Sequence, residues 1–89
     1  MDIKRRASAG TLESSDVLIS VRPADKLILK IESPVFAQYG EQIEKVCREV
    51  LAAFNITSGE IHLQDQGALD CTIKARLETA VRRSLSQDD

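Results

Sequence analysis

At 89 residues and 9.8 kDa, the chain is sized for one domain, because a second independent core needs considerably more sequence. Its 43% hydrophobic and 29% charged residues exclude disorder along the whole length, and 12 Lys and Arg against 14 Asp and Glu leave no basic excess for neutralising nucleic-acid phosphates. Two cysteines and one histidine are too few for a multi-bridge secreted scaffold or a zinc site of Cys and His, and neither a signal peptide nor an apolar run near 20 residues is visible, so the expected setting is cytoplasmic, without membrane or nucleic-acid partners.

Residues 1–11 are small, polar and basic with no apolar period and read as a mobile arm, extending through residue 15 to the first ordered element. From 16 to 22, Val17, Ile19 and Val21 fall on one side of an extended chain, predicting a strand. Pro23 and Asp25 mark a turn, after which Leu27, Leu29 and Ile31 alternate with Lys26, Lys30 and Glu32; the two segments are expected to pair antiparallel.

Ser33 and Pro34 then suit a helix cap and first helical position. Phe36, Tyr39, Ile43, Val46, Val50 and Phe54 recur at three- and four-residue spacings, predicting one amphipathic helix over 34–54. Ile61 and Leu63 alternate with His62 and Gln64, and Leu69, Cys71, Ile73 and Ala75 do so after Asp65-Gln66-Gly67, which reads as a second hairpin. The period lengthens at Leu77, Val81 and Leu85, giving a short C-terminal helix before a polar tail at 86–89.

The expected architecture is therefore α+β, in the order β-β-α-β-β-α, with two antiparallel hairpins forming a sheet covered by one long helix. Aromatic residues supply only 3% of the chain, so the core must come from Ile, Leu, Val and Ala.

Few side chains suggest independent chemistry. His62 lies on the polar side of its strand, as a solvated imidazole does, and Cys47 and Cys71 fall at apolar positions expected of buried, inert thiols. Glu60, Asp65 and Asp70 bracket the second hairpin without the dense ligand spacing of a calcium loop. Ser14 and Ser15 sit in a small, polar junction with no Gly-x-Ser-x-Gly elbow, which argues against a serine hydrolase.

That junction, Ala9-Gly-Thr-Leu-Glu-Ser-Ser-Asp16, together with Gly67-Ala-Leu-Asp-Cys71 and an Arg-rich end, resembles the acyl carrier protein (gamma subunit) family of bacterial citrate lyase over nearly the whole chain. The stretch from Ser33 to Gly40 also fits that family's helix start. The pattern departs before Gly67, where the family often carries a second acidic residue and a lysine and this chain has Gln64, Asp65 and Gln66. Lys4, Arg5 and Arg6 are not a family hallmark.

The resemblance implies a non-catalytic carrier domain over residues 1–89, with the attachment serine on the arm. Its cofactor would be 2'-(5''-phosphoribosyl)-3'-dephospho-coenzyme A, joined to Ser14 by a phosphodiester; the family tolerates glycine in place of Ser15. The implied partners are the alpha (acyl transferase) and beta (citryl lyase) subunits and a prosthetic-group transferase, the holo-synthase. Acetyl and citryl thioesters would be carried during cleavage of citrate to acetate and oxaloacetate, as in citrate fermentation. The alternatives are the carrier subunit of malonate decarboxylase, which bears a similar group, and a non-catalytic α+β interaction or RNA-binding module. The last lacks aromatics on its sheet for stacking bases.

Overall fold

The computed structural model describes residues 1–86. It contains β1 (Ala7–Gly10), β2 (Val17–Arg22), β3 (Leu27–Glu32), α1 (Phe36–Ala53), β4 (Gly59–Asp65) and α2 (Asp70–Leu85). The four strands form one sheet in the order β1-β2-β4-β3. α2 lies over β1 and β2, while α1 packs on α2 and β3, so the α+β class and the helix-covered sheet are as expected.

The pairing differs from two hairpins. β2 and β3 are not neighbours; β4 lies between them, antiparallel to β2 and parallel to β3. A parallel pair needs a crossover connection, and α1 supplies it. The 23–26 segment contains Pro23 and no residue of positive φ, so it lacks the backbone of a tight hairpin turn. Central placement goes to the strands whose inward residues bury fully: Val17, Ile19, Ile61 and Leu63 are all 0% exposed. β3 keeps Ile28, Lys30 and Glu32 exposed, a composition suited to an edge.

The expected strand over 69–76 is also corrected. α2 begins at Asp70, because Ile73, Leu77, Ala80, Val81 and Ser84 bury together at helical spacing, whereas the strand-like alternation would have buried Cys71 and Ala75, both exposed. α1 starts two residues later than Pro34 and ends one before Phe54. Ser33 is therefore not the cap: that position is Val35, without a side-chain cap bond, and the Ser33 hydroxyl instead accepts the Val35 N–H at 3.2 Å and donates to Asp65 at 2.7 Å in the connection before the helix.

The N-terminal segment is docked rather than free. Ile3 is 2% exposed within the core, its N–H bonds the Ser58 carbonyl at 3.0 Å, and the buried Ser84 hydroxyl bridges the Lys4 N–H and the Arg5 carbonyl. β1 then pairs with β2 from Ala7↔Val21 to Gly10↔Leu18. Ile3 and Ala9 contribute apolar burial that a polar average over residues 1–11 conceals. Residues 87–89 of the expected tail lie outside the described residues.

The inner sheet face meets both helices in a core of Ile, Leu, Val and Ala with Cys47 and no buried aromatic. Each fully buried aliphatic side chain contributes about 1.5–3 kcal/mol relative to exposure. The outer face is polar, with Ser8, Ser20, His62 and Lys30 in register across all four strands.

Candidate functional site

β1 and β2 are joined by residues 11–16, which include Ser14. Gly10 makes the departure from β1 possible: its φ is +96°, and a Cβ there would stand 1.8 Å from the Val17 carbonyl oxygen. Any other residue would force the strands apart.

The Asp16 N–H bonds the Glu13 carbonyl at 3.1 Å, closing a turn with Ser14 and Ser15 at its centre. Ser15 has φ +66°, the left-handed region that a turn of type II requires at this place and that glycine enters most easily. This gives a physical reason for a family to accept glycine there. The turn is tied to the β4–α2 connection by a reciprocal pair: the Ser15 N–H donates to the Gln66 carbonyl at 2.8 Å, and the Gln66 N–H to the Asp16 carbonyl at 2.9 Å.

Asp16 is the loop's electrostatic centre. Its carboxylate accepts the Thr11 hydroxyl at 2.7 Å and the Val17 N–H at 2.7 Å. Arg76 of α2 grips both oxygens, Nε at 3.0 Å on one and a terminal guanidinium nitrogen at 3.1 Å on the other. These bonds favour the ionised form, Arg76 most, and lower the Asp16 pKa to about 2. Thr11 also accepts the Glu13 N–H at 3.2 Å, so one hydroxyl links the two ends of the turn.

Ser14 and Ser15 are both exposed, and neither hydroxyl has a hydrogen-bond partner among the described residues. A primary alcohol held on an ordered turn, flanked by small Ser15, fits a bulky phosphodiester substituent. Asp16 would repel such a group if it stood alone, but Arg76 already balances it within the chain. Glu13 is exposed.

The other candidates are dispersed. His62 pairs with Glu32 on the outer sheet face, opposite Ser20 and three ladder positions from Val17, so no imidazole stands beside Ser14. Cys47 is buried, and burial pushes its thiol up to about 12. Cys71 is exposed on the first turn of α2, against the expectation of a core thiol. The three carboxylates of the second expected hairpin are separately engaged: Glu60 with Arg22 and Lys30, Asp70 with Gln42, and buried Asp65 with Ser33 and the N–H groups of Gly67 and Ala68. Among the described residues, no group of three or more His, Cys, Asp or Glu is placed to hold a metal, and no helix is long and apolar enough to cross a membrane.

Arg76 is the member of the site that sequence reasoning misses, and the roles of Gly10 and Gln66, both noted in the sequence, become visible only in the structure. Arg76 reads as one more polar residue, because its partner is 60 positions away.

The family described as malonate decarboxylase delta subunit (MdcD), an acyl carrier protein family, matches residues 4–84. The citrate lyase acyl carrier protein of Treponema denticola is 49% identical over 84 residues, covering 94% of this chain and 97% of its own. That of Haemophilus influenzae strain PittEE is also 49% identical, covering 98% and 92%. A chain in the crystal structure of a Pseudomonas malonate decarboxylase hetero-tetramer in complex with malonate superposes with a TM-score of 0.73 at 15% identity, covering 91% of this chain and 84% of that one; this likeness is one of fold. A carrier accounts for a site with an exposed hydroxyl and no base beside it: on near-full-length identity, the chain belongs to the citrate lyase acyl carrier protein family and is a carrier rather than a catalyst.

Proposed function

We propose that this chain is the acyl carrier subunit of a cytoplasmic citrate lyase, with Ser14 as the attachment point of 2'-(5''-phosphoribosyl)-3'-dephospho-coenzyme A. The observation that carries the reading is identity of about half to citrate lyase acyl carrier proteins along nearly the full length, and the exposed, unpartnered Ser14 hydroxyl on an anchored turn supports it. When bound, the group supplies a thiol for acetyl and citryl thioesters.

The protein's own contribution is mechanical and electrostatic. The β1–β2 turn offers Ser14 to a holo-synthase, and Arg76 offsets Asp16 beside the phosphodiester. Tethering raises the local concentration of the acyl group at the alpha and beta subunits. Complex assembled with Ser14→Ala is expected to lose citrate cleavage completely, while Cys47→Ala, Cys71→Ser and His62→Gln complexes retain it. Loss of activity in one of those three with retention in Ser14→Ala would contradict the reading.

A second reading, the carrier of a malonate decarboxylase, is favoured by the matching family's description and by the Pseudomonas fold likeness. The assembled complex separates the two. Turnover of citrate to oxaloacetate supports the first, and decarboxylation of malonate without citrate cleavage supports the second.

A further inference from the structure

We propose that Arg76 is a positioning residue for Ser14: its guanidinium fork reaches from α2 to Asp16 and holds the 11–16 loop in the turn that presents the Ser14 hydroxyl to a modifying enzyme. The inference rests on the reading of Ser14 as the attachment site and names the side chain that prepares it.

An exposed six-residue connection between strands is ordinarily among the most mobile parts of a domain. Here its geometry is fixed from a rigid element. Arg76 stands on α2 between the buried anchors Ile73 and Leu77, so its Cα cannot shift without disturbing the core. Its two nitrogens meet the two oxygens of Asp16 at 3.0 and 3.1 Å, an arrangement that sets direction as well as distance. The Asp16 side chain is 15% exposed and that of Arg76 43%, so the pair is partly screened by solvent and its contribution is the direction set by the two-point contact.

The hold extends beyond Asp16 itself. Asp16 takes the Thr11 hydroxyl, and Thr11 takes the Glu13 N–H, so the grip reaches the residue before Ser14. On the other side, the Val17 N–H bonds the same carboxylate, fixing the exit into β2. The Ser14 hydroxyl is left unbound between two fixed ends, as is that of Ser15 beside it.

The test compares wild type with Arg76→Met, Arg76→Lys and Asp16→Asn. Amide hydrogen exchange on the unmodified chains reads loop order, and intact mass with peptide mapping reads the rate of Ser14 modification during coexpression with the holo-synthase. In Arg76→Met, the Ser15, Asp16 and Val17 amides are expected to exchange roughly tenfold faster, with Ile19 and Leu63 unchanged, and modification to slow by about tenfold or more, as small misplacements of a reacting group do. Arg76→Lys keeps the charge without the fork and is expected to recover less than half of the lost rate.

Wild-type exchange and modification in Arg76→Met would overturn the proposal, as would full recovery by Arg76→Lys, which would make charge alone sufficient. If Arg76→Met also loosens the Ile19 and Leu63 amides, Asp16→Asn, nearly identical in shape, decides the matter by the same two readouts. A wild-type chain that takes no adduct on Ser14 sinks the attachment reading, and loop exchange still shows whether the clamp exists.

Discussion

Asp16 ties the loop to acid stability with a definite sign. Its pKa falls from 3.8 to about 2, chiefly through the Arg76 hydrogen bonds. A carboxyl depressed on folding contributes stability that is fully present above its unfolded value and is lost as pH falls through the folded one. Wild type is therefore expected to lose stability between about pH 4 and about pH 2 more steeply than Asp16→Asn, measured by urea unfolding across that window. Glu60, lowered by Arg22, adds to the slope in both proteins and cancels in the comparison. The two thiols separate just as clearly: at neutral pH and in native protein, iodoacetamide is expected to label exposed Cys71 and leave Cys47, whose buried thiol is pushed up to about 12. A label on Cys47 would mean that α1 opens readily.

At the scale of elements, the N-terminal segment makes the sharpest claim. Ile3 is 2% exposed in the core, so Ile3→Ala is expected to cost about 2–5 kcal/mol by chemical unfolding, as aliphatic truncations in cores do; a free arm would cost nothing. The sequence conveys β2 and α1 well, because Val17, Ile19 and Val21 repeat at two and Ile43, Val46 and Val50 at three and four, and one environment decides each. It conveys α2 poorly. Ile73 satisfies both a two-residue alternation with Cys71 and a four-residue spacing to Leu77, and only packing against β1 and β2 selects the helix. β1 is hidden because Ala7-Ser-Ala-Gly10 has almost no apolar signal; it is a strand through pairing with β2, a tertiary cause outweighing propensity.

For the whole molecule, strand order was the least legible property. Alternation identifies β2, β3 and β4 as half-buried strands but says nothing about which lies in the middle, and the insertion of β4 follows from completeness of burial at Ile61 and Leu63. That insertion also shapes the site. With β4 beside β2, Gln66 reaches the Ser15 and Asp16 backbone, and α2 brings Arg76 to the same end. The 9–16 motif that contains Ser14 is local and legible in the sequence, whereas the contacts that hold this loop come from residues distant in sequence and have no local signature.

The most direct test of this account is intact mass with peptide mapping of the chain from cells that also express the modifying enzymes. A phosphodiester-linked, coenzyme-A-like adduct on the Ser14 peptide, absent from Ser14→Ala, is the expected result; an adduct on Ser15, or an unmodified chain under those conditions, would contradict it.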